Sequence, residues 1–510
     1  MTRINTNVTS MVAQRVLGQN NFSLNRSLER LSTGLRINRG KDDPAGLIAS
    51  ENLRSEIKST NAAIANATRA DQVANTAEGG LQEVSSLLTE LQGLVTTTSS
   101  TGGISAEEKA ANQLQIDSIL QTIDRISGAT SFQGQKLLNG NFDYQVSGIN
   151  AKVTDFKVNS AKFNGTSQSV DVLVTQSAQQ GILFMSFGAT ALNFNGANSG
   201  NLTLELTGAA GSRELQFASG TSLADMVSAI NTFTDITGLV ASVAAVGATT
   251  GIGLYSKDFG SANFSTVKVV NDAGIQGTDA NLGIYGVQTT NAGALNTTIK
   301  GKFDSTLAGN GIKDAGQDIG AIINGIVATA DGKDININTD FLNVEMTLTT
   351  AASQTLGSIS AFSITGGGAD FQLAGKVDIA GKVSIGMNDV SVRKLGNSTL
   401  GFLDDLASGK SFNLVDSSGV DAQKIVSKAI NQVSSLRGRL GAFQKNVIGS
   451  TIRSLGIAVE NTSAAQSIIR DADFASETAA MTRSQILSQA STQVLGIANS
   501  QPQAALQLLG

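Results

Sequence analysis

Any chemistry in this chain falls to carboxylates, amines and hydroxyls, because its 510 residues include no cysteine and no histidine. Without a thiol there is no disulfide, no thiolate metal site and no cysteine nucleophile. Without imidazole there is no Ser-His-Asp triad, no HExxH zinc site and no ordinary proton shuttle near neutral pH. One acidic arrangement has ligand-like spacing: Asp334, Asn336, Asn338, Asp340 and Glu345 fall near the pattern of a calcium loop. Thr339 stands where that loop requires glycine, and Ile335 and Ile337 alternate as in a strand, so the segment reads as part of a hairpin. The run "TGGGAD", Thr365 to Asp370, lacks the lysine and the strand-helix setting of a phosphate loop and reads as a turn. No cofactor and no enzymatic activity are expected.

Charge narrows the partners. A formal net charge of −5 leaves no domain-scale basic surface for nucleic acid. Basic residues gather early, with Arg3, Arg15, Arg26, Arg30, Arg36, Arg39 and Lys41 preceding every acidic residue except Glu29. Such a start can resemble an organelle transit peptide, but it continues a helical stripe. No secretory signal is expected, since Met1 to Leu17 lacks a continuous apolar region. After Arg483 the chain is uncharged, yet Gln, Ser, Thr and Asn interrupt it, which suits another helix and not a membrane.

The elements that must position these residues are long helices around a β-rich middle. Thr60, Ala63, Ala67, Ala70, Ala74, Ala77, Leu81, Val84, Leu88, Leu91 and Val95 step by three and four without a slip, forming a heptad seam. Ile116, Ile119, Ile123 and Ile126 mark a second helix. Ala422, Val426, Ala429, Val433, Leu436, Leu440, Phe443 and Val447 mark a third. Weaker stripes occupy the ends: Ile4, Val8 and Met11, then Leu24 to Leu35, and finally Leu487, Ala490, Val494 and Ile497. Between about 150 and 400, "VDVLVTQ", "NLTLELTG", "STVKVVND" and "DININTD" alternate in period two between Gly, Asn and Ser turns. "SLADMVSAINTF" interrupts them as a helix with Ser222 as its cap. The expected fold class is α+β: terminal α-helical coiled-coil or bundle domains made from both chain ends, with a β-rich central insertion.

Three stretches carry a resemblance. "MTRINTNVTSMVAQRVL", "ERLSTGLRINRGKDDPAGL" and "RISGATSFQGQKLLNG" resemble the N-terminal signature of bacterial flagellin. "ENTSAAQSIIRDADFASETAAMTRSQILSQASTQVLGIANSQPQAALQLL" resembles its C-terminal signature. "NLTLELTGAAGSRELQFASGTSLADMVSAINTF" is similar to the IN module inserted in flagellins and hook proteins. The resemblance implies a structural subunit of the extracellular flagellar filament, a helical polymer of itself, exported unfolded by the flagellar type III system. Its implied partners are an export chaperone, cap proteins and hook-junction proteins. It implies an inner coiled-coil domain from 1–44 and 456–510, a helical core domain with a β-hairpin from 45–165 and 376–455, and variable outer structure over 166–375. The ends are expected to be disordered in the monomer and ordered in the polymer. Alternatives are a hook-filament junction protein or a surface adhesin acting through the β insertion.

Residue-level expectations follow from the same resemblance. Arg36, Asn38, Lys41, Asp42, Asp43 and Pro44 form the joint between inner and outer helical domains and a subunit interface, their charges satisfied across subunits. Asp43 caps the next helix and Pro44 takes its first position, where a missing N–H costs nothing. Leu28, Leu31, Leu35, Leu487, Val494 and Ile497 form the polymerisation seam. Leu88, Glu90, Leu91, Gln92 and Leu94 match the segment that many flagellins present to the vertebrate Toll-like flagellin receptor. Here Glu90 stands in place of the usual arginine, and Gln92 and Gly93 replace an Arg-Glu pair, so weak or absent recognition is expected. Drift on a helix face that packs in the filament accounts for the same residues equally well.

Overall fold

The computed structural model describes residues 6–100, 103–163, 165–188, 191–192, 200–246, 249–273, 275, 282–287, 295–301, 303, 305, 311–415 and 419–507. Ile4, the first residue of the N-terminal stripe, lies outside them. The chain divides into two compact units, one of Met1–Ala74, Phe371–Val383 and Leu440–Gly510, the other of Asn75–Asp370 and Ser384–Arg439.

The α-helices among the described residues are α1 (Val8–Thr33), α2 (Pro44–Thr98), α3 (Ala106–Ala129), α4 (Leu223–Thr232), α5 (Thr234–Thr237), α6 (Thr350–Gln354), α7 (Gly419–Ala442), α8 (Gly449–Arg470) and α9 (Phe474–Gln507), of which α5 and α6 are single turns. Every position of the α2 seam from Thr60 to Val95 is buried. Alanines fill the seam from Ala63 to Ala77, and the larger Leu81, Val84, Leu88, Leu91 and Val95 fill it beyond. In α3, Ile116, Ile119 and Ile123 are buried and Ile126 is half-buried. The third seam departs once from its expected spacing. Phe443–Ile448 is a π turn, so Ile448 takes the buried place that regular heptads give to Val447, which is half-buried.

The first unit contains α1, α8 and α9 with the N-terminal part of α2. Helix α1 ends where Gly34 adopts φ 72°, a left-handed conformation, and returns its N–H to the Arg30 carbonyl at 2.8 Å. The segments after α1 and after α8 then pair: Arg36 N donates to Arg470 O at 2.7 Å, and Ala472 N to Gly34 O at 2.9 Å.

The second unit carries two β bodies. In the first, strands Ile326–Val327, Gly320–Ile323, Gln168–Gln176, Gly357–Gly367 and Tyr144–Ser147 make one sheet, in that order. Thr329–Asp331, Asp334–Asn338, Leu342–Leu348 and Val153–Ala161 make another, and Val172, Ile335, Val344 and Phe362 meet between them. Val153–Ala161 pairs with Leu342–Leu348, so this body begins before the expected boundary at residue 165. Asp334–Asn338 is a hairpin strand with Asn336 opposite Glu345, the strand alternative to a calcium loop. In the second body, a five-stranded and a four-stranded sheet enclose Leu183, Ile252, Leu204 and Val267 with the inner face of α4. Ser222 caps α4, its hydroxyl accepting from Asp225 N at 3.2 Å. The second body is entered and left through adjacent strands, since Gln179 and Gln317 form an isolated bridge. The short hairpin Ser131–Phe132 with Gln135–Lys136 turns through Gln133 at φ 49° and Gly134 at φ 82°.

Candidate functional site: the paired chain ends and their joint

Helices α1 and α9 run antiparallel and are held by small and polar residues. Asn7 Nδ2 donates to Ala498 O at 2.7 Å, Ser10 Oγ to Asn499 Oδ1 at 2.7 Å, and Asn20 Nδ2 to Ser491 Oγ at 2.7 Å. Farther along, Arg30 faces Glu477 at 3.5 Å. The buried residues of the pair include Ser10, Ala13, Ser27, Ser491 and Ala498. Large apolar side chains point the other way: Met11 is 62% exposed, Val494 55% and Ile497 62%. Val8, Val12, Val16, Leu487, Ala490 and Val494 line a groove of about 460 Å³. A two-helix pair that meets through serines and alanines while presenting its valines and isoleucines has its apolar burial still to make. Of the expected seam, Leu28, Leu487, Val494 and Ile497 are exposed, and Leu31 and Leu35 are half-buried.

The joint is built from the chain's own charges. Asp42 Oδ2 accepts from the backbone N–H of Asn38 at 3.3 Å and of Arg39 at 3.0 Å, and Arg26 stands 3.8 Å away. Desolvation pushes the Asp42 pKa up, but those two N–H groups and the charges of Arg26 and Arg30 outweigh it and hold the carboxyl below its ordinary value. Arg39 pairs with Glu29 at 2.8 Å, Arg36 donates to Ile469 O at 2.6 Å, and Asn38 donates to Leu35 O at 3.1 Å. The Lys41 ammonium lies over the Phe22 ring at 5.6 Å. Within one chain these groups already have partners, because the segment after α1 and the end of α8 pair through Arg36 and Ala472. Arg470 extends the set by pairing with Glu51 at 2.9 Å. Sequence spacing does not reveal that contact between distant segments.

Asp43 caps α2, its Oδ1 accepting from Gly46 N at 2.9 Å, and Pro44 opens the helix. Gly46 is required by this approach, since a Cβ there would collide with the Asp43 carboxylate and the Ile37 side chain. Asp43→Ala is expected to destabilise the monomer by about 0.5–2 kcal/mol and to lower the melting temperature of filaments by more than that of monomers; the reverse ordering in paired melts would overturn the expectation.

The segment matched to the receptor contact divides by burial. Leu88 and Leu91 are fully buried, Gln92 and Leu94 are half-buried, and Glu90 is exposed. Glu90 accepts from Gln115 of α3 at 3.2 Å. Two of the five residues are thus core, and Glu90 is the one whose charge reaches solvent.

A further ionisable group sits where the first β body meets α7. Lys157, on Val153–Ala161, lies on a wall shared by cavities of about 490 and 460 Å³. Burial strips water from its ammonium; Arg439 and Lys428 add like charge against Glu345 and Asp143, and the pKa falls to about 8. Burial also raises Asp155 and Asp143. Between about pH 8 and 10.5 the unfolded chain still holds the lysine proton that the folded chain has released, so stability is expected to rise with pH across that window. Lys157→Met is expected to raise the melting temperature near neutral pH and flatten that rise; a variant that melts lower at neutral pH would refute it.

Comparison with known proteins places the chain ends and one inserted module. The pattern of the bacterial flagellin N-terminal helical region matches residues 4–143, that of the C-terminal helical region matches 423–509, and the flagellin hook IN motif matches 191–258. The B-type flagellin of Pseudomonas aeruginosa is 31% identical, with 99% of each chain covered. Flagellin C of Vibrio anguillarum is 28% identical and a flagellin of Salmonella muenchen 29%, again over 99% of each chain.

Proposed function

Because the chain belongs to the bacterial flagellin family and is a structural subunit of the flagellar filament, we propose that its α1–α9 pair is the surface through which copies join. The carrying observation is the inverted pair: small residues meet inside it, and Met11, Val494 and Ile497 face outward. A second copy laid along the groove at Val12, Val16 and Leu487 covers that apolar area. The joint from Arg36 to Pro44 connects this inner layer to the helical core and holds its angle through pairs within the chain.

The domain division follows from the same reading: 1–44 and 456–510 as the inner coiled coil, 45–165 and 376–455 as the helical core, which then includes the strands Tyr144–Ser147 and Val153–Ala161 of the first β body, and 166–375 as the variable outer region. Export in an unfolded state, with a chaperone before assembly and cap and hook-junction proteins during it, agrees with a chain that has no cysteine and only two prolines. Recognition by the Toll-like receptor is weak or absent, because Glu90 offers a negative charge where an arginine donor is needed.

Electron microscopy of the concentrated chain, with protease mapping before and after assembly, tests the proposal. Helical filaments with a central channel are expected, with α1 and α9 cleaved in the monomer and protected in the filament. Equal cleavage in both states, or persistent monomers, would defeat it.

A further inference from the structure

Two Asn-Gly pairs lie wholly among the described residues, and the fold treats them differently. In such a pair the main-chain nitrogen after the asparagine can reach the side-chain amide carbon, because glycine has no Cβ to obstruct the approach. Asn324 and Gly325 make the two-residue turn between Ile323 and Ile326, at φ 48° and 84°. The Asn324 side chain is tied to the neighbouring strand: Asp171 N donates to its Oδ1 at 2.8 Å, and its Nδ2 donates to Ser169 O at 2.9 Å. Its amide nitrogen is thereby bonded and its carbonyl is held across the sheet.

Asn139 is exposed and has no such restraint. Its Oδ1 accepts from the backbone N–H of Asn141 at 3.2 Å, which folds the side chain back over the Gly140 peptide. The same N–H stands on the oxygen that gains negative charge when Cγ is attacked. Neither Asn139 Nδ2 nor the Gly140 N–H has a hydrogen-bond partner among the described residues, so both the leaving nitrogen and the attacking one are free. Gly140 is itself demanded by the fold, with φ 87° and Asp389 Cβ 3.4 Å from where its own Cβ would stand.

We propose that Asn139 is a site of self-catalysed deamidation. The Gly140 nitrogen loses its proton and bonds to Asn139 Cγ; the Cγ–Nδ2 bond breaks, ammonia leaves with that proton, and a succinimide ring remains. Water opens the ring at either carbonyl to give aspartate or isoaspartate. The isoaspartyl product carries the main chain through the former side chain, adding one methylene directly after Leu138. Leu138 is fully buried, and its carbonyl accepts from Ser127 Oγ at 2.7 Å and from Val390 N at 3.0 Å, so the added length falls on a fixed joint. The reaction is independent of the filament-subunit reading.

The test incubates the full chain in mildly alkaline buffer, folded and in guanidinium chloride, and follows both asparagines by peptide mass spectrometry. In the folded chain Asn139 is expected to convert at least about tenfold faster than Asn324, which must first break two side-chain hydrogen bonds. In denaturant the two rates are expected to converge. The isoaspartyl fraction, separated chromatographically, is expected to melt below the parent, while Asn139→Gln keeps the parental melting temperature through the same incubation. Four results would each overturn the proposal: an intact Asn139 in the folded chain, equal conversion of Asn324 there, a rate ratio that persists in denaturant, or an isoaspartyl fraction that melts like the parent.

Discussion

Replacing Val12, Val16 and Val494 together with serine is expected to leave the monomer melting within a few degrees of the parent while abolishing filament growth at concentrations where the parent polymerises. In the single chain these side chains are 46%, 38% and 55% exposed, so their loss removes little burial. Exposed substitutions of this kind change stability by about 0.5 kcal/mol or less. In a filament the same side chains are covered, and fully burying a valine is worth at least about 1.5 kcal/mol. With about half of each side chain still to be covered, the three amount to roughly 2 kcal/mol per subunit, which raises the critical concentration by about thirtyfold. Sedimentation of the polymer across a concentration series measures this directly. Parent-like pelleting by the triple variant would remove α1–α9 from the subunit interface. A large fall in monomer melting temperature would show instead that these valines already have partners within the chain.

Leu91→Ala is expected to act in the opposite sense, destabilising the monomer by about 2–5 kcal/mol through the cavity it leaves. Leu91 is fully buried in the seam that continues through Leu88 and Val95, so truncating it removes contacts that the isolated chain possesses. Glu90→Arg, one residue away and exposed, is expected to shift stability by less than about 0.5 kcal/mol. It exchanges an acceptor for Gln115 for the donor that receptor recognition lacks. Denaturant unfolding of the two variants, with a receptor reporter assay for the second, separates the roles. If Leu91→Ala unfolds like the parent, the seam is not a core; if Glu90→Arg leaves the receptor silent, charge at this position does not explain weak recognition.

Those two neighbours show where sequence pattern was sufficient. The α2 seam was legible throughout because an α-helix fixes which residues share a face, and Thr60 to Val95 needed no knowledge of the partner helix to be identified as buried. The third seam was legible as far as Phe443. Beyond it, regular spacing selected Val447, although a second series starting at Ile448 was present in the residues and marked the phase change. The terminal helices were legible as helices but not as a pair, since what their contact buries is Ser10, Ala13 and Ser27 instead of the leucines that carry the stripe. Hydrophobic periodicity identifies an apolar face and says nothing of when it is covered. The joint was recognised by its charges, and its cap at Asp43 by local geometry. The pairing of Arg36 with the Ile469 carbonyl depends on segments far apart in sequence. The β bodies had the same limit, because alternation identifies a strand without naming its neighbour, as with Val153–Ala161 beside Leu342–Leu348.

The bridge between Gln179 and Gln317 gives the second β body a narrow doorway, because the chain goes out and comes back at one place. To the rest of the protein, everything beyond that doorway is a single loop, and the entropy of closing a loop rises only with the logarithm of its length. Doubling its content would cost about 0.6 kcal/mol by that measure. The doorway is therefore a socket: what is plugged into it can grow, shrink or be exchanged in evolution, and the seams that fold the subunit register almost none of the change.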